Sequence, residues 1–254
     1  MSVIGVISMK GGVGKTSTTA NLATALGSQL GDGRVYTVDL DPQNALHWHF
    51  GLIDQDDSGV CEQSLHEGNW RNAMLESSFN VRCLPYGNVA ETDREAFESL
   101  LSQSDQWVNE QLKAAELSDN VVVVIDSPPG PSVYLKQVCE CADLILIVLL
   151  ADAGSYATIP EMETWLDTYT TKRPELKVYY VLNQIDRSET LNRDTAAFLH
   201  RQLKPRLCPV DIHNDEAVAE ALAFQQPVLS YEPHCQASHD FVRLAMWTIN
   251  TLNK

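Results

Sequence analysis

Apolar and polar positions alternate in blocks along the chain. Short β-branched runs at Ser2–Ser8, Arg34–Asp39, Val121–Asp126, Asp143–Leu150, Lys177–Asn183 and Leu207–Ile212 read as strands. Between them, Thr16–Leu30, Glu91–Leu117, Tyr156–Thr171 and Thr190–Leu203 carry helical patterning. Runs such as VVVVID and LILIVLLA show no polar alternation, which suits strands covered on both faces. The alternation of β and α units predicts an α/β fold, with a mostly parallel central sheet and helices on both faces. A length of 254 residues fits one such domain, residues 1–254. Asp54–Gly87, rich in polar residues and turn formers, takes no element from this pattern.

Composition narrows the setting. The longest apolar run, Leu144–Ala151, falls far short of the ~20 residues needed to cross a bilayer. The opening MSVIGVISMKGG lacks the basic start and long apolar stretch of a signal peptide. Six cysteines occur without CxxC spacing, so a reduced, cytoplasmic setting is expected. Cys139 and Cys141 sit two apart on a predicted helix and point in different directions, and His47 and His49 share that spacing. Neither pair reads as a metal site. With 18 Lys+Arg against 34 Asp+Glu, the net charge is −16. DNA and anionic lipid both draw their proteins through basic side chains. This balance disfavours both and points to a protein partner.

The segment VISMKGGVGKTST leaves a strand and opens a helix, the context of a phosphate-binding loop. Gly11, Gly12 and Gly14, with Val13 between them, let the backbone curl and aim N–H groups at phosphate oxygens. Lys15 is placed for the β- and γ-phosphates, Thr16 for Mg²⁺, and Ser17 for the helix N-terminus, where the dipole favours anions.

The strict GxxxxGK[ST] motif fails, because Met9 stands at its first glycine; what remains is KGGVGKT, with a second lysine at Lys10. This resembles the deviant Walker A loop of the ParA/MinD family of ATPases. The resemblance implies ATP and Mg²⁺ as ligands. It also implies that Lys10 reaches the nucleotide of a second subunit, so that ATP holds a homodimer together.

Three further segments match that family in order. VDLDPQNA resembles switch I, VVVVIDSPPG the Walker B strand and switch II, and VLNQID the segment that carries a base-contacting asparagine, here Asn183. By resemblance, Asp126 and Asp39 serve the metal through water. Asp41 is the candidate for orienting the attacking water, since phosphoryl transfer depends mainly on placement and charge. Asp41 before Pro42 also suits a turn or a helix cap. DIHNDEAVAEALAFQQPVLSYEP resembles the segment that passes the base, but with His213 where proline is usual and Gln225 where glycine is frequent. The resemblance spans nearly the whole chain and is weakest over Asp54–Glu116.

Within the family, DPQNALHWHFG and EGNWRNAMLESSFNVRCLPYG look like the BcsQ branch, found in cellulose-secretion operons. That likeness implies action at the cytosolic face of the cellulose synthase complex. It further implies a small regulatory partner like BcsR, and peripheral association with the inner membrane through proteins. Trp70 and Leu84 in the second segment also suit a helix–sheet core. The alternatives are a partition ATPase that binds DNA and a MinD-like positioning ATPase. The first needs a basic face; the second needs a basic amphipathic C-terminal helix, whereas DFVRLAMWTINTLNK has only Arg243 and Lys254 as cations.

Overall fold

The computed structural model describes residues 1–52, 58–117 and 120–253. Its strands are β1 Ser2–Ile7, β2 Val35–Asp39, β3 Leu75–Glu76, β4 Arg82–Leu84, β5 Val122–Asp126, β6 Leu144–Leu150 and β7 Lys177–Asn183. Its α-helices are α1 Lys15–Leu30, α2 Val60–Leu65, α3 Glu91–Gln103, α4 Trp107–Ala114, α5 Val133–Cys141, α6 Ala153–Thr170, α7 Thr190–Gln202, α8 Glu216–Ala223, α9 Val228–Tyr231 and α10 Gln236–Leu252. The sheet runs β3-β4-β2-β5-β1-β6-β7. Only β3 is antiparallel to its neighbour. The expected α/β architecture is what the chain forms.

The two-residue period of a strand sorts the core into two layers. Val3, Ile7, Val38, Val123, Ile125, Ile145 and Ile147 pack on one face with apolar residues of α2 to α7. Ile4, Val6, Val35, Val122, Val124, Leu144 and Leu146 pack on the other with α1, α8, α9 and α10. Unbroken apolar runs are thus required, because both sides of each central strand are buried. Trp70 and Leu84 do fill the core, at 1% and 0% exposure. Among the described residues no helix is long and apolar enough to cross a membrane.

Three expectations are corrected. Leu207–Ile212 does not form a strand: it touches β7 and its continuation through isolated bridges, with Cys208 N–H donating to Tyr180 O and Ile212 N–H to Leu182 O. Pro209 in its middle has no N–H to give a ladder. The helix expected over Glu91–Leu117 is two, α3 and α4. Between them the Gln137 side chain donates to the carbonyls of Leu101 and Ser104 and accepts from Val108 N–H, satisfying backbone groups freed by the break. Asp54–Gly87 holds α2, the edge strand β3 and its neighbour β4, and its residues 54–57 lie outside the described residues.

Candidate functional site

β1 stops at Ile7 and α1 begins at Lys15, and the intervening loop turns through left-handed conformations at Gly12 (φ 76°) and Gly14 (φ 81°). A Cβ at Gly14 would stand 2.4 Å from Asn183 Nδ2. That amide, at the end of β7, donates to Val13 O at 2.8 Å and so ties the loop to the sheet. Helix α1 has no side-chain cap at Gly14 and no acidic residue in its first turn. Its leading N–H groups are therefore available to an anion, in the dipole's favoured end.

The loop borders a cleft of about 340 Å³, whose walls are Ser8, Lys10, Gly11, Gly12, Val13, Gly14, Lys15, Thr16, Ser17, Asp41, Gln43 and Pro129. Beneath it lies a buried ionic cluster. Lys15, 7% exposed, places Nζ 2.9 Å from Asp126 Oδ1 and 3.8 Å from Asp41 Oδ2. Thr16 Oγ1 donates to Asp126 Oδ2 at 2.7 Å, and Thr19 Oγ1 to Asp126 Oδ1 at 2.9 Å. Asp41 Oδ1 accepts from Gln43 N–H at 3.0 Å, the turn that its position before Pro42 suggested.

Asp39 and Asp126 are register partners on β2 and β5, so two carboxylates end adjacent strands side by side. Asp39 is fully buried and is not among the residues that wall the cleft. Its oxygens accept the N–H groups of Asp41 (2.9 Å) and Leu46 (3.1 Å), fixing the loop that carries Asp41. Burial, followed by repulsion from Asp126, pushes its pKa well above the usual carboxylate range. His49, 4% exposed, is held at a pKa of about 4 by burial, against the pull of Asp126. Among the described residues no three His, Cys, Asp or Glu side chains group as a metal cage.

The structure thus gathers Lys10 through Ser17 and Asp41 around one cleft, with Asp126 below, Asn183 behind and Asp39 bracing Asp41. It adds two residues that the sequence reading passed over. Thr19 lies one helical turn beyond Lys15, a spacing that could have found it. Asp152, the cap of α6, pairs with Lys10 at 3.2 Å across 142 positions, and no local pattern signals it. Uncapped amides, a buried ammonium, a hydroxyl and a carboxylate in one cleft fit a magnesium triphosphate.

The family model described as "Cellulose biosynthesis protein BcsQ" matches residues 1–249. The chain belongs to the BcsQ family. It is 28% identical over 250 residues to the cellulose biosynthesis protein BcsQ of Salmonella typhimurium, covering 98% of this chain and 94% of that one. Among solved structures, the cell division ATPase MinD of Pyrococcus furiosus has a TM-score of 0.77 at 24% identity and covers 98% of both chains. Cobyrinic acid a,c-diamide synthase of Mycobacterium smegmatis, with a bound ATP analogue and magnesium, has a TM-score of 0.78 at 21% identity, covering 100% of this chain and 96% of that one. The fold of this BcsQ family member is therefore that of the MinD/ParA P-loop proteins.

Proposed function

We propose that the chain is an ATP-hydrolysing switch, dimeric with Mg-ATP, that supports assembly, localisation or activity of the bacterial cellulose synthase secretion complex from the cytoplasmic side. One observation carries the reading: Lys10 and Lys15 border the same cleft, at an uncapped helix N-terminus above Asp126. In this reading the amides from Gly11 to Ser17 hold phosphate oxygens, and Lys15 exchanges its carboxylate neighbours for phosphate. Thr16 and, through water, Asp126 and Asp39 hold Mg²⁺, which when bound neutralises phosphate charge. Asn183 faces the base. Asp41 orients the attacking water, held in place by Asp39 and Gln43.

Lys10 serves the second subunit. It must leave Asp152 to do so, but that pair is 44% and 39% exposed and costs under about 1 kcal/mol to break. The dimer is read by a small BcsR-like partner and by cytosolic parts of the synthase. A net charge of −16 supports protein partners over nucleic acid.

Calorimetry and sedimentation with Mg-ATP test the reading. Wild type should bind and dimerise, Lys15→Ala should lose binding, and Lys10→Ala should bind but stay monomeric. Because Lys15→Ala also strands a buried Asp126, its folding must be checked by thermal unfolding. An unchanged Lys10→Ala dimer would count against the shared site. Recovery of DNA instead of synthase subunits on affinity purification would overturn the cellulose assignment.

A further inference from the structure

We propose that a chamber beside the phosphate cleft binds a neutral glucose-based oligosaccharide against Trp48, and that its occupancy alters the rate of ATP hydrolysis. Both parts rest on the function proposed above, which makes glucose the sugar and hydrolysis the output.

The chamber follows from strand order. β2 and β4 are parallel neighbours, so the loops after Asp39 and Leu84 leave the same carboxyl edge of the sheet, where open α/β sheets bind their ligands. With the first turns of α3 those loops border a space of about 630 Å³, larger than the phosphate cleft and within the range of small-molecule sites. Gln43 lines both spaces.

The walls select the ligand. Trp48 is 44% exposed, whereas Trp70, which packs the core, is 1% exposed. The buried His47 ring backs the Trp48 indole at 4.9 Å, so a flat apolar surface is held at the chamber. Around it stand amides. Among the described residues the side chains of Gln43 and Asn88 make no hydrogen bond, and Asn44 uses only Oδ1, which accepts from Gly87 N–H at 3.3 Å. Each amide offers both donor and acceptor, which a hydroxyl can match in either sense. The charges are already paired: Arg94 Nε donates to Glu91 at 3.1 Å, and Nη1 reaches Glu98 at 3.5 Å. An anion therefore finds no unpaired lysine or arginine, a cation finds no unpaired carboxylate, and an apolar ligand would cover the amides unpaired. A pyranose has the required duality, with a C–H face for the indole and a rim of hydroxyls for the amides. Peptide recognition lacks a template, because the walls hold neither an open strand edge nor a groove between helices.

The chamber is tied to both switch-like loops. Gln43 N–H donates to Asp41 Oδ1 at 3.0 Å. Tyr86, another wall residue, shares a buried hydrogen bond of 2.9 Å with Tyr134 on α5, the helix that follows the 127–131 loop. A ligand held by Trp48 and Gln43 thus acts on the turn that positions Asp41.

Calorimetric titration of the full chain with cellotriose, with and without Mg-ATP, tests the site, and phosphate release is measured on the same samples. Wild type should bind saturably, and at saturation its phosphate release should change by about twofold or more. Trp48→Ala should weaken binding roughly tenfold or more while leaving Mg-ATP binding and the sugar-free rate intact. Asn88→Ala, on an exposed loop, should weaken it about fivefold and keeps the test available where Trp48→Ala fails to fold. A chain that binds Mg-ATP but not cellotriose, or that keeps full cellotriose affinity in both variants, overturns the site. Binding that leaves phosphate release unchanged overturns the coupling to hydrolysis. Failure to bind Mg-ATP overturns the nucleotide reading, and the sugar titration then still judges the chamber by itself.

Discussion

Lys10 Nζ lies 3.2 Å from Asp152 Oδ2 of the same chain, so the lysine assigned to a partner's nucleotide begins folded against its own α6. Asp152 also caps that helix, accepting from Ser155 N–H at 2.6 Å. Burial alone would raise its pKa, but this amide and the ammonium hold it below the usual carboxylate range. Asp152→Asn keeps a good capping residue and removes the charge. If release of Lys10 is part of assembly, this variant should dimerise at up to roughly fivefold lower Mg-ATP, the equivalent of about 1 kcal/mol. Sedimentation velocity across an ATP series at low salt measures it. Raising the salt should erase the difference, and coincident curves at low salt would show that the pair does not restrain Lys10.

Asp41 is held at both oxygens in a way that suits a positioning role: Oδ1 accepts from Gln43 and Oδ2 faces Lys15 at 3.8 Å. Asp41→Ala should still bind Mg-ATP and accumulate as dimer while phosphate release falls by roughly tenfold or more, about 1.4 kcal/mol on the barrier. Wild-type turnover in a colorimetric phosphate assay would remove Asp41 from the chemistry.

What was legible depended on how local its cause is. The central strands announce themselves because both faces are buried, and the phosphate loop because its glycines, lysines and flanking elements are contiguous. The break between α3 and α4 was hidden, since its stabilising group is Gln137, more than thirty positions away on α5. The segment Leu207–Ile212 carries apolar, β-branched residues that suit a strand, but Pro209 removes an N–H from its middle and leaves it isolated bridges only. Asp39 shows the limit for a site residue. Its position beside Asp126 follows from strand order, but that both its oxygens are spent on loop amides needed coordinates.

Gly12 and Gly14 separate two costs that one motif conflates. Both have positive φ, so alanine at either should cost about 1–2 kcal/mol in backbone strain. A Cβ at Gly12 meets nothing within 4 Å, whereas one at Gly14 strikes Asn183 Nδ2 at 2.4 Å. Overpacking of that kind adds about 1–3 kcal/mol. Thermal unfolding without nucleotide should rank Gly14→Ala clearly below Gly12→Ala. Adding Asn183→Ala to Gly14→Ala should recover part of the loss, a non-additivity that strain alone does not give.

Gln225 stands just past the C-terminus of α8 with φ 54°, a conformation that favours glycine. Its N–H donates to Leu222 O at 2.9 Å, so the turn is already satisfied and only the side chain is unfavourable. Gln225→Gly should stabilise the chain by about 1 kcal/mol, raising Tm by about 2–4 °C. An unchanged or lower Tm would mean that the glutamine side chain compensates for its backbone.

Asp39 and His49 should tilt the pH dependence of stability in opposite directions. Asp39 has a folded pKa above its unfolded value of about 3.9. The folded chain keeps a proton that the unfolded chain releases, so this contribution is lost as pH rises from about 4 toward the folded value. His49 has a folded pKa of about 4 against 6.5. The unfolded chain gains a proton that the fold excludes, so stability falls as pH drops from 6.5 to about 4, by about 1.4 kcal/mol per unit and on the order of 3 kcal/mol in all. His49→Gln should remove the acid-side loss and leave a curve that declines with rising pH. Asp39→Asn should do the reverse. It offers one oxygen where Asp39 uses two, so it starts about 1–3 kcal/mol less stable at low pH and regains ground as pH rises. Urea unfolding of the nucleotide-free chain between pH 4.5 and 7.5 resolves the two slopes. Curves for either variant that run parallel to wild type would mean that the corresponding group does not carry the linkage.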